Sequence, residues 1–208
     1  MGKYLTEFIG TFFLVLTIGC TVIPGRPNVI PALAIGAVLM VMIFAGGHVS
    51  GGHYNPAVTL GVWLRGKCPT SDVVPYWAAQ LVGAIVASVV VRGLVGAPED
   101  ALLTPKPGPA FIAEFVFTFA LVYVVLNVAT AKGTSGNSLY GLAIGMTVMS
   151  GAFAVGGVSG AAFNPAVVAG VGSMGLIAWA NLWPHVLAEA AAGAAAAYTF
   201  KTINPDDK

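Results

Sequence analysis

Residues Gly51–Val58 read GGHYNPAV, and residues Gly160–Val167 read GAAFNPAV. A very apolar chain thus carries the helix-breaking tripeptide Asn-Pro-Ala twice, with small residues around it. Asn is among the best helix N-caps because its side-chain oxygen takes a free N–H of the first turn. Pro fits the first helical position, where its missing N–H is not needed. Each tripeptide therefore reads as the start of a helix. The stretches that follow, Ala57 to Arg65 and Ala166 to Met174, rise only about 1.5 Å per residue and are too short to cross a bilayer. Glycines precede both starts, Gly46-Gly47 and Gly51-Gly52 in one copy and Gly156-Gly157 and Gly160 in the other. They predict that the preceding span breaks before the tripeptide.

The likeness extends outward. Shifted by 109 positions, Leu33 to Gly61 aligns with Leu142 to Gly170 without a gap, and 16 of the 29 pairs are identical. The same shift sets Pro75 on Pro184, and a shift of 107 sets Glu7-Phe8 on Glu114-Phe115 and Thr11 on Thr118. The chain is 57% hydrophobic and 8% charged, against about 25% charged in a soluble domain. Stretches of membrane-crossing length, about 17 to 25 residues, run near 5-23, 30-47, 75-95, 110-130, 138-156 and 181-200. These nearly exhaust the chain. It reads as one transmembrane domain over 1-208, with repeat one at 1-95 and repeat two at 110-203. Three spans per unit is an odd number, so the second unit enters the bilayer from the opposite face, as inverted repeats do. Irregular backbone at membrane depth must be buried in protein or line a water-filled cavity. The fold expected is all-α and integral to the membrane: six transmembrane helices plus two re-entrant half-helices that meet N-terminus to N-terminus near the midplane.

Lys3 followed by an apolar run resembles a signal peptide, but the run contains Glu7 and is too long for a signal core, so it reads as the first span. Met1 to Thr6 fits the short myristoylation pattern, although Thr6 already lies at the membrane entrance. Cys20 and Cys68 give no disulfide framework and no metal spacing, so neither cofactor nor metal is expected. A formal net charge of +1 offers nothing to nucleic acid. Lys3, Arg65, Lys67, Lys132, Lys201 and Lys208 fall on the face with both termini, and Arg26, Arg92 and Lys106 on the other. Retained positive charge favours the cytoplasm, which predicts both termini inside, and the plasma (inner) membrane is the expected host.

These residues resemble the aquaporins, the major intrinsic proteins, channels for water and small solutes. The resemblance covers essentially the whole chain: EFIGT and EFVFT, LAIG twice, GGHVSGGHYNPAVTLG and GGVSGAAFNPAV. It implies a narrow pore past the two motifs Asn55-Pro56-Ala57 and Asn164-Pro165-Ala166, with both Asn amides turned into it. An Asn amide donates two hydrogen bonds and a helix N-terminus carries roughly half a positive charge, so water turns its oxygen to this centre while cations and protons are repelled. The carbonyls of Gly52, His53 and Tyr54 and of Ala161, Ala162 and Phe163 would line the pore as acceptors. Carried over by spacing, the selectivity filter is Ile35, Ala152, Ala161 and Val167. All four are apolar. Most water-selective relatives have Arg where Val167 stands, and the glycerol-facilitator pair Arg-Asp is absent too, with Val167-Val168 in its place. The departure implies a wider filter that passes water with small uncharged solutes: ammonia, urea, glycerol, hydrogen peroxide or metalloid hydroxides. The alternative is a strictly water-selective pore narrowed by Phe44 or Phe153. The resemblance also implies a homotetramer with one pore per subunit, packed by small residues such as Gly83 and Ala84.

A carboxylate within a span is functional by default. Glu7 and Glu114 are expected to brace the two re-entrant loops by accepting their N–H groups. The other reading makes them ion-coupling groups of a secondary transporter. A membrane enzyme would need a nucleophile with a base, or a metal cluster, and no His, Asp or Cys grouping supplies one. His48 and His53 read as structural residues of the first loop. His185 and Glu189, four apart, could pair near the outer mouth, and Trp63, Trp77, Trp179 and Trp183 fall near span ends as an aromatic belt would place them.

Overall fold

Proline opens helix after helix in this chain, standing at the first or second position of five of them. A computed structural model describes residues 1–25 and 27–207. Arg26 and Lys208, both used in the charge count, lie outside the described residues. The described helices are α1 (Gly2–Val22), α2 (Pro31–Ser50), α3 (Pro56–Leu64), α4 (Thr70–Val95), α5 (Pro107–Val125), α6 (Tyr140–Ser159), α7 (Pro165–Met174) and α8 (Trp183–Ile203). A π turn, Leu126–Thr130, extends α5.

Each half of the chain thus runs long, long, short, long. Five long helices are apolar enough by composition to cross a membrane, and α8 is not among them. Its 21 residues span about 31 Å at 1.5 Å per residue, enough for a hydrocarbon core of about 30 Å. It is rich in Ala and carries His185 and Glu189, both fully buried. Its polar groups face protein, so hydropathy understates it.

α1 packs on α4 and α2, α5 on α8 and α6, and α2 crosses α6. Each short helix leans on a long helix of the other half, α3 on α8 and α7 on α4. The two halves therefore interlock. At the α2–α6 crossing, a Cβ on Gly36 would stand 2.7 Å from the Gly145 carbonyl oxygen, and one on Gly145 would stand 2.5 Å from that of Gly36. Only glycine permits that approach.

Two expectations about glycine change. Gly46-Gly47 and Gly156-Gly157 are still helical, and the helices end later, on left-handed Gly51 (φ 86°) and Gly160 (φ 91°). Glycine terminates these helices as it commonly does, by taking a backbone conformation that a Cβ disfavours. The irregular backbone shrinks to 51–55 and 160–164, and His48 moves from the loop to the last turn of α2. Gly83 and Ala84 do not offer a surface to another subunit. They are buried, and a Cβ on Gly83 would meet the Phe8 carbonyl oxygen at 2.6 Å, so they seat α4 on α1 within the chain.

Candidate functional site: two facing helix starts on an apolar cavity

Both Asn side chains do what a cap requires. Asn55 Oδ1 accepts from the N–H of Ala57 (2.8 Å) and Val58 (3.4 Å), and Asn164 Oδ1 from Ala166 (2.9 Å) and Val167 (3.4 Å). The amide ends cross between the halves. Asn55 Nδ2 donates to the Phe163 carbonyl at 2.7 Å, and Asn164 Nδ2 to the Tyr54 carbonyl at 2.9 Å. An amide has two N–H donors, so each Asn keeps one for another acceptor. Two helix N-termini, each worth roughly half a positive charge, are thereby fixed nose to nose.

The loops that deliver them hold strained residues. Tyr54 (φ 49°), Phe163 (φ 49°) and Ala161 (φ 53°) are left-handed without being glycine, at about 1–2 kcal/mol each. Buried carboxylates hold Tyr54 and Phe163 there, and the Ser159 hydroxyl accepts the Ala161 N–H at 3.1 Å. Glu7 Oε1 accepts from Ser50 Oγ (2.6 Å) and His53 N–H (2.9 Å); its Oε2 accepts from Tyr54 N–H (2.6 Å) and Gln80 Nε2 (2.8 Å). Glu114 accepts from the N–H of Ala162 (3.1 Å) and Phe163 (2.7 Å). Hydrogen bonds to a charged group contribute about 1.5–3 kcal/mol each, so two or more outweigh the strain of one residue. Ring burial adds to this: Tyr54 is packed beside Gly10 and donates to the Met42 carbonyl at 2.9 Å, and Phe163 stacks on Phe117 at 5.5 Å.

Several partners were not singled out from the sequence, although the 109-residue shift pointed to them. It sets Tyr76 on His185, Gln80 on Glu189 and Ser50 on Ser159. Tyr76 Oη donates to the Ser50 carbonyl at 2.8 Å, and His185 Nε2 lies 2.7 Å from the Ser159 carbonyl. Gln80 serves Glu7, while Glu189 accepts the Asn164 N–H at 2.9 Å. His185 and Glu189 are therefore part of the loop brace, not a pair at the outer mouth. Trp77 likewise leaves the aromatic belt, since its Nε1 donates to the Pro56 carbonyl at 3.2 Å. His53 Nδ1 sits 3.1 Å from Thr59 Oγ1.

A cavity of about 390 Å³ passes these caps. Asn55, Asn164 and all four expected filter residues, Ile35, Ala152, Ala161 and Val167, line it, as do Gly52, His53, Tyr54 and Ala162. Phe163 does not. Pro56, Ala57, Pro165 and Ala166 stand behind the Asn residues as the first turns. The remaining wall is aliphatic, with no Lys or Arg among the described lining residues. Phe44 and Phe153 are outside it, 42% and 62% exposed, so the bulk that the water-selective alternative requires does not line this cavity. A second cavity of about 480 Å³, lined by Gly51, His48, Lys132 and Tyr140, meets the chain next to Gly52 of the first.

The Major intrinsic protein family profile matches residues 1–200. The chain belongs to this family. Family members are channels, not enzymes. Among its relatives, aquaporin NIP1-4 of Oryza sativa subsp. japonica is 37% identical over 96% of this chain and 76% of its own length. Glycerol uptake facilitator protein-like 6 of Lactiplantibacillus plantarum is 35% identical over the full length of both. The solved aquaglyceroporin of Plasmodium falciparum superposes with a TM-score of 0.82 at 23% identity, covering 98% of this chain and 97% of that one. The fold is the aquaporin fold, and the chain is an integral membrane protein.

Proposed function

We propose that this major intrinsic protein conducts water together with small uncharged solutes such as glycerol and urea. The observation that carries the reading is the cavity at Val167: four apolar residues, Ile35, Ala152, Ala161 and Val167, share its wall with Asn55 and Asn164, each of which keeps one amide N–H beyond its bond to a carbonyl. Without a guanidinium in the filter, nothing fixed competes with a solute hydroxyl for space, and an aliphatic wall accepts the carbon face of a polyol while the Asn amides take its oxygens. A relative named as a glycerol uptake facilitator agrees with this. The position of Phe44 and Phe153 outside this cavity weighs against a strictly water-selective pore. Coupled transport by Glu7 and Glu114 is disfavoured because their oxygens already accept loop donors. Cations and protons are turned back where the two helix N-termini face each other. Both termini lie on the cytoplasmic side of the plasma membrane, in a homotetramer with one pore per subunit.

Stopped-flow light scattering on reconstituted vesicles tests the filter. Wild type takes up glycerol and urea and passes water; Val167→Arg keeps water flux and loses solute uptake. Water-only flux in both proteins would place selectivity elsewhere.

A further inference from the structure

The two loop braces differ by one proton's worth of chemistry. In the first half a single carboxylate, Glu7, receives four donors, one of them the amide of Gln80. In the second half the residue equivalent to Gln80 is Glu189, and its carboxyl is held beside that of Glu114 because the two accept consecutive backbone N–H groups, Phe163 on Glu114 Oε2 at 2.7 Å and Asn164 on Glu189 Oε1 at 2.9 Å. Both are fully buried. The pair receives three backbone N–H groups, from Ala162, Phe163 and Asn164, and Glu189 Oε2 meets no protein donor. Among the described residues no Lys or Arg is paired with either carboxyl. From α5 only Glu114 faces the pair, since Tyr123 is nine positions further along that helix. The other elements packed on α8, namely α3, α7, the π turn and the 3-10 turn at Trp179–Asn181, carry no titratable residue. On α8 itself His185 is one turn away, with Nε2 2.7 Å from the Ser159 carbonyl, which makes that nitrogen the donor, and 3.9 Å from Glu114 Oε1.

We propose that Glu189 and Glu114 hold one proton between them, so that a carboxylic acid donates where Gln80 donates in the first half, and that this proton positions Asn164 in the pore. Two like charges in contact within a dry interior cannot both persist, and one proton converts the bare oxygen into the missing donor. When the proton leaves at alkaline pH, the carboxylates push apart. Glu189 is the acceptor of the Asn164 N–H, so the cap that faces Asn55 moves with it. Glu189 is thus a positioning residue, acting on the permeating molecule through Asn164.

Glu189→Gln is the decisive variant, because its amide can accept from Asn164 and donate to Glu114 as Gln80 does to Glu7. Infrared spectra of the reconstituted protein, recorded from about pH 5 to about pH 10 to bracket carboxyl, His and Tyr titration, should show a protonated-carboxyl stretch in wild type that disappears at the alkaline end. The E189Q protein should lack it throughout. Water flux in the same vesicles should fall reversibly along the alkaline limb in wild type, stay level in E189Q and be low at every pH in E189A. A wild type without the band at neutral pH overturns the proposal, as does an alkaline limb that E189Q retains. The flux arm rests on the channel reading above, but the infrared arm does not: a band with no water flux at any pH would sink that reading and leave the shared proton standing.

Discussion

Asn164 does three things with one side chain. Its oxygen caps α7, one N–H holds the Tyr54 carbonyl, and in the proposed function the second N–H is left for a permeating molecule. Asn164→Asp separates these tasks. The carboxylate keeps the cap and suits a helix N-terminus, so the fold survives. It has no N–H for Tyr54 and puts a full negative charge where two half-positive helix ends meet. Proton flux under an imposed pH gradient should therefore rise at least several-fold over wild type, while a leak equal to wild type would mean that the helix ends do not set proton exclusion. Asn164→Ala loses the cap outright and should cost about 0.5–2 kcal/mol in thermal unfolding. The capping role was legible in the sequence, since an Asn before a Pro has few other readings. The crossed amides were not, because which of two donors finds a carbonyl 108 or 110 residues away depends on the two halves meeting. Nor was the reassignment of His185 and Glu189, which spacing of four placed together and which the fold instead turns toward Ser159 and Asn164.

Among the helices, the α2–α6 crossing is set by the smallest side chain at each of two equivalent positions. Gly145→Ala would drive a Cβ to 2.5 Å from the Gly36 carbonyl oxygen, and backbone cannot step aside as a flexible side chain can. Overpacking of this kind costs about 1–3 kcal/mol. Gly93 is the control, since it lies within α4 with nothing within 4 Å of an added Cβ. There the same substitution should stabilise by up to about 1 kcal/mol through helix propensity. Thermal unfolding in detergent should lower the midpoint for Gly145→Ala and raise or hold it for Gly93→Ala; equal shifts would show that the crossing is not tightly packed. Most elements were readable from apolar length alone, and the half-helices from Asn-Pro. Where the sequence misled, at Gly46-Gly47 and Gly156-Gly157, glycine was taken as a breaker although these positions remain helical. At α8 the apolar signal is diluted by polar residues whose partners lie on other helices, which composition cannot register.

Across the whole molecule, one face is tied together by its ends. Lys3 Nζ reaches Asp72 at 2.6 Å, and Tyr4 Oη donates to the same carboxylate at 2.9 Å, fixing the N-terminus to α4. Asp207, near the other end, accepts from Arg65 at 2.6 Å and from the Lys132 N–H at 2.7 Å, and Arg65 lies over the Phe200 ring at 4.5 Å. The tail thus clasps the turn after α3 to the connection between α5 and α6, whose Lys132 also borders the second cavity. The Lys132 N–H, together with Arg65, holds the Asp207 carboxyl below its ordinary value of 3.8. A lowered carboxyl contributes its full stabilisation above the unfolded value and loses it as pH falls through the depressed one. The clasp is accordingly closed across the neutral range and opens only in strong acid. Asp207→Asn removes the charge at every pH, so amide hydrogen exchange in residues 131–139 should quicken in the variant at neutral pH. In wild type, exchange corrected for its intrinsic pH dependence should quicken only below about pH 3.8. Unchanged exchange in Asp207→Asn would mean that the connection holds itself, through Thr134 and Asn137 and their bonds to the Asn127 and Val128 carbonyls. Because this clasp does not titrate near neutrality, a flux change seen there does not originate in it.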